Sequence, residues 1–190
     1  MGFAYQLQGE RVAASHAYTE AIAISRASGN IMITLAALTC LGQVQETENQ
    51  LHLAAQNYRS VLQLVGESAW AAACEAYLGL ARIFYEWNDL DAAQHYGEQS
   101  RQLAQQMETV DTSAASEVML ARIKLARGDV SGAATLLAQT HTFARQHNFA
   151  QRLPDIAATQ IRALLQQGKL EATTSLALTY DLPLTAKRGN

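Results

Sequence analysis

Three arginines are the residues best placed by type and spacing to do chemistry. Arg82, Arg122 and Arg162 recur at one constant interval, and Gln43 stands almost the same interval before the first of them. A guanidinium keeps its charge and presents a planar fork of donors that fits a carboxylate or phosphate through two hydrogen bonds. A row of such groups suits an anionic partner. Tyr85 and Glu86 follow Arg82 by three and four residues, and Thr39 and Glu46 flank Gln43 by four and three. That is the spacing of side chains sharing one helix face. Together these residues form the candidate partner-binding set, with Tyr85 suited to stack on a sugar or a peptide side chain. The simpler use of the arginines is internal. They would pair with Glu75, Glu86, Glu117 or Asp155 while their stems cover apolar surface.

Other chemistries are poorly represented. His16 and His95 take equivalent places two repeats apart, and His141 and His147 are six apart, so neither pair has the three- or four-residue spacing of a helical metal site. Solvent-facing imidazoles are expected, and neither a metal nor a cofactor is called for. Gly-x-Ser-x-Gly, His-Glu-x-x-His and a dinucleotide glycine fingerprint are missing. Gly168-Lys169 runs into Leu170 and has Ala163 where a phosphate loop needs its first glycine. The chain is therefore read as a binding protein and not as an enzyme. Net charge is −3 and the pI is near 5.9, without the basic stripe of a nucleic-acid binder. Cys40 and Cys74 sit in Ala/Leu-rich stretches and are expected to be buried free thiols. Trp70, Trp87, Phe84 and Phe143 are expected to be packing residues. No signal-peptide pattern opens the chain and no apolar run approaches the ~18 residues of a membrane span, so a soluble cytoplasmic protein is expected.

The elements that must position the arginines follow from regular punctuation. Turn dipeptides fall at Gly9-Glu10, Asn49-Gln50, Asn88-Asp89, Gly128-Asp129 and Gly168-Lys169, at near-constant intervals of about 40 residues. Gly or Asn closes a helix in the left-handed conformation, and Asn or Asp caps the next one. Each turn leads to a small residue (Ala14, Ala54, Ala93, Ala133 and, less well, Thr173), and four residues later to Tyr18, Tyr58, Gly97, Leu137 or Ala177. Twelve residues before each small residue lies another: Gly2, Gly42, Ala81 and Ala121, with Ile161 departing. Small residues at this offset are expected to face each other across antiparallel helical hairpins.

With good helix formers dominant and strand-like runs missing, the chain reads as all-α. Helices are expected up to Gln8 and over 10–27, 31–47, 51–65, 68–87, 89–107, 112–127, 130–146, 154–167 and 169–179, with Pro154 in a first turn. Positions 1–180 would form one domain of about four and a half repeats, and 181–190, with Pro183, a flexible tail.

The order Leu41-Gly42, Asn49, Leu51, Ala54, Tyr58 resembles the tetratricopeptide (TPR) signature, as does Tyr77, Leu80-Ala81, Asn88-Asp89-Leu90, Ala93. The unit is longer than that of the usual repeat, which has about 34 residues, and it lacks the closing proline. More narrowly, 77–90 and 120–129 resemble the MalT-like helical-repeat region of large LuxR-type ATP-dependent transcriptional regulators, and the resemblance runs over nearly the whole chain. It implies a right-handed superhelix whose first helices line a concave groove, where the arginine set would lie. It also implies a sensor role: binding a protein, a peptide or a small-molecule inducer, and controlling self-association. The nucleotide-binding and DNA-binding modules of such regulators are not in this sequence, so no direct nucleic-acid binding is expected of it. Gly2 already holds a mid-helix position, which suggests a piece of a longer polypeptide. The alternative is a free-standing TPR adaptor or scaffold that holds a peptide or protein partner.

Overall fold

The computed structural model describes residues 1–66 and 69–180, and these are helical with short turns. They fall into two compact units, divided between Met107 and Glu108. The first holds α1 (Gly2–Leu7), α2 (Arg11–Ala27), α3 (Ile31–Thr47), α4 (Leu51–Leu64), α5 (Trp70–Glu86) and α6 (Leu90–Gln106). The second holds α7 (Val110–Ala126), α8 (Val130–Gln146), a 3-10 turn at Ala150–Arg152, α9 (Leu153–Gln166) and α10 (Leu170–Thr179). The expected helices are all found, with ends that match or are shifted by one or two residues. Helix α7 begins at Val110 instead of Thr112, and Pro154 lies in the first turn of α9. The expected start of α5 at Ser68 and the expected tail 181–190 with Pro183 lie outside the described residues.

The regularity is finer than the hairpin repeat. Backbone with positive φ occurs at Gly9, Gly29, Asn49, Asn88, Glu108, Gly128, Asn148 and Gly168, so successive turns fall half a repeat apart except across the stretch that includes positions 67 and 68. Six of the described helices are 17 residues long, and a three-residue turn completes the period. At Asn49 the Gln50 N–H donates to the Gln45 carbonyl at 2.8 Å and the Asn49 N–H to Glu46 at 3.0 Å, a Schellman closure. The cap side chains Asn30, Asp89 and Asp129 then accept from the third residue on. Turns within a hairpin and turns between hairpins share one geometry. Gly29, Glu108 and Asn148 mark the second kind, which the sequence reading had not singled out.

In the first unit α3 packs against α2, α4 and α5, and in the second α9 packs against α7, α8 and α10. Ala14, Ala54, Ala93 and Ala133 are fully buried. The glycines, however, face tyrosines. A Cβ on Gly42 would lie 2.8 Å from the Tyr58 ring, one on Gly79 2.3 Å from the same ring, and one on Gly2 2.7 Å from Tyr18. Tyr58 is thus a fully buried wedge seated on glycines of α3 and α5. The second core, around Val118, Leu125, Leu137 and Ile156, is aliphatic and puts Leu137 at the tyrosine's position.

Candidate functional site

The polar centre of the first unit grows from that wedge. The Tyr58 hydroxyl reaches the edge of the core and donates to the Glu46 carboxylate. The same carboxylate takes both arms of the Arg82 fork, with Nε to Oε2 and Nη2 to Oε1 each 2.8 Å. Glu46 belongs to α3, Tyr58 to α4 and Arg82 to α5, so the triad ties one hairpin to the first helix of the next. Burial opposes the Arg82 charge, but the Glu46 hydrogen bonds and charge more than offset it and hold the guanidinium above its ordinary range. Burial first, and the Glu46 charge second, push the Tyr58 phenol well up, so it stays a donor. A related pair sits one repeat earlier, where Tyr18 donates to Gln6 at 2.9 Å, and burial pushes Tyr18 up to about 12.

The structure thus places a predicted partner-binding acid and a predicted partner-binding arginine in one internal ion pair. Internal pairing holds for Arg82: Glu46 takes its fork, and Glu75, one of the acids expected for that role, adds its charge. Tyr85 is half-buried and Glu86 exposed on the same helix, and Gln43 is half-buried on α3. Thr39 does not share that surface. It is 7% exposed and its hydroxyl donates to the Leu35 carbonyl, because its position on α3 turns inward.

In the second unit the arginines meet different surroundings. Arg122 on α7 donates to the Thr159 hydroxyl of α9 at 3.4 Å. Arg162 on α9 is exposed and makes no hydrogen bond or ion pair among the described residues. The position three residues before the turn, Glu46 in α3, is Leu125 in α7, so α7 offers no carboxylate there. Asp155 pairs instead with Arg152, which also binds Asp111 through Nη2 at 2.7 Å and through Nε. The Arg152–Asp111 tie was not foreseen. The Tyr58–Glu46 tie had a legible signal, the twelve-residue offset it shares with Tyr18 and Gln6.

Of the remaining expectations, His16, His95 and His147 are exposed, while His141 is half-buried and bonds the Tyr180 hydroxyl at 2.9 Å. Trp87 and Phe84 pack together with Tyr96, whereas Trp70, at the start of α5, is 42% exposed. Cys74 is buried as expected, but Cys40 is only half-buried and lines an open groove. Among the described residues no group of three or more His, Cys, Asp and Glu could hold a metal, and no helix is long and apolar enough to cross a membrane.

A family model described as the MalT-like TPR region matches the chain over residues 1–187. The chain belongs to that family. Solved structures agree on the fold. A putative kinesin light chain from Podosopora anserina with nearly identical TPR-like repeats is 20% identical, with 95% of this chain and 90% of that one covered and a TM-score of 0.67. BtubC from P. vanneervenii is 14% identical, with 100% and 82% covered and a TM-score of 0.71. At these identities the likeness concerns the fold alone. The sequence matches no curated protein.

Proposed function

We propose that this MalT-like TPR region is the sensor and self-association module of a LuxR/MalT-type transcriptional regulator, binding a protein, peptide or inducer on the faces of its first helices. The observation that carries the reading is the family match over residues 1–187. The arginine positions support an anionic contact, and their unequal surroundings favour Arg162 over Arg82. Arg82 is occupied by Glu46. Arg162, exposed and with Leu125 where an acid would be needed, offers its fork to a partner carboxylate or phosphate.

The regulator reading is tested by the flanking coding sequence, which should encode an ATPase module upstream and a helix-turn-helix downstream. Neither being present would leave the free-standing adaptor. The binding face is tested with a fluorescent peptide ending in three glutamates. Arg162→Ala should weaken its anisotropy-measured affinity about tenfold, the worth of one charge-assisted contact, while the far-ultraviolet circular dichroism stays the same. Unchanged affinity would reject Arg162 as the contact.

A further inference from the structure

Glu46 serves two neighbours, and only one of them needs its charge. The Tyr58 hydroxyl donates to it, and Arg82 donates both arms of its fork. One repeat earlier the Tyr18 hydroxyl donates at 2.9 Å to Gln6, which holds the place of Glu46. A neutral amide oxygen is therefore acceptor enough for a tyrosine wedge. The repeat does not require an arginine either, since Gln43 holds the place of Arg82 one repeat earlier. What remains for the carboxylate charge is to fill the Arg82 fork.

The pairing is particular to this junction. The place three residues before the turn holds Gln6, Glu46, Tyr85 and Leu125 in successive hairpins. The arginine place of the following hairpin holds Gln43, Arg82, Arg122 and Arg162. Glu46 is the one acid in the first series. Its two parallel contacts of 2.8 Å with Arg82 are the form in which a guanidinium takes a carboxylate from any source. Glu75 also lends charge to Arg82, but both of these hydrogen bonds go to Glu46. The Arg82 side chain is 33% exposed, within reach of an incoming carboxylate whose seat Glu46 already takes.

Given the anionic contact proposed above, on which this rests, we infer that Glu46 is a specificity residue: it fills the Arg82 fork as an internal stand-in for a partner's carboxylate and so keeps acidic partners off the first unit. Removing its charge would free the fork and make Arg82 an anion seat of the kind proposed for Arg162. An amide at position 46 would still accept from Tyr58, as Gln6 accepts from Tyr18.

The test uses the fluorescent triglutamate peptide on a protein carrying Arg162→Ala. Adding Glu46→Gln should raise the anisotropy-measured affinity about tenfold, the worth of one charge-assisted contact. Adding Arg82→Gln as well should abolish the gain. That second change also restores the net charge, which separates a seat at Arg82 from a general effect of charge. The far-ultraviolet circular dichroism should be the same throughout. Affinity that does not rise with Glu46→Gln overturns the proposal, and so does a gain that survives Arg82→Gln. Lost helicity in Glu46→Gln also overturns it, because the charge would then serve the fold. Arg162→Ala without effect on the otherwise unaltered protein rejects the Arg162 contact alone, whereas a missing gain from Glu46→Gln rejects the role of Glu46 alone.

Discussion

The two units use one repeat to opposite ends. In the first, residues 1–107, Tyr58, Glu46 and Arg82 form a polar triad seated on glycine. In the second, the equivalent places of the tyrosine and the acid are Leu137 and Leu125, both buried, and Arg162 is left exposed. Helices of 17 residues and turns with left-handed backbone occur in both units. The difference is chemical. At Tyr58 the buried phenol has a carboxylate as its acceptor, and a carboxylate near the core needs a cation. Where leucine takes the wedge position, that chain of requirements never starts, and an arginine copied by the repeat is released for other use.

The contrast is most easily broken at the wedge. Gly79→Ala should cost about 3 kcal/mol in urea denaturation, because the added methyl meets a fully buried ring at 2.3 Å. In a Tyr58→Leu background, which makes the first unit resemble the second, the same substitution should be nearly neutral. A cost that persists there would show that the tyrosine is not the cause.

The arginines sharpen it next. Arg82→Ala should cost about 2 kcal/mol, a value reduced from that of a fully buried pair because the Arg82 side chain is 33% exposed. It leaves Glu46, whose side chain is 15% exposed, without its bidentate partner. Arg162→Ala, the same repeat position, should change stability by less than about 0.5 kcal/mol. Equal costs would end the distinction between a structural and an available arginine.

The smallest expected effect is at a turn. Glu108 holds φ 54°, a conformation that favours Gly or Asn and costs a side chain with a Cβ about 1 kcal/mol. Glu108→Gly should recover up to that amount, visible as a raised midpoint. Asn88→Gly, already at a tolerated residue with φ 59°, should gain less. The ordering of the two, rather than either value, checks the shared turn geometry.

Much of this was legible in the residue order. Turn residues that tolerate left-handed backbone are few, so Gly9, Asn49, Asn88, Gly128 and Gly168 announced the hairpins. Glu108 could not, since nothing in a glutamate's own preferences marks a turn. The alanines at 14, 54, 93 and 133, expected at close contacts between helices, are fully buried, and what lies nearest to Gly2 and Gly42 is a tyrosine ring. Thr39 looked like a surface residue by spacing from Gln43, yet four residues along a helix that is packed on three sides is enough to turn a side chain inward.

By itself, the sequence determined what is local and periodic: the helices, the turns, the repeat length and the three arginine positions. These follow from short-range backbone preference and from apolar periodicity, which act within about one turn of helix. Only the tertiary structure decided which arginine is occupied. Glu46 and Arg82 lie on helices of successive hairpins, and their meeting depends on how far one hairpin is offset from the next. That offset is set by Tyr58 wedged between Gly42 and Gly79, a packing relation among three helices that no single stretch of sequence contains.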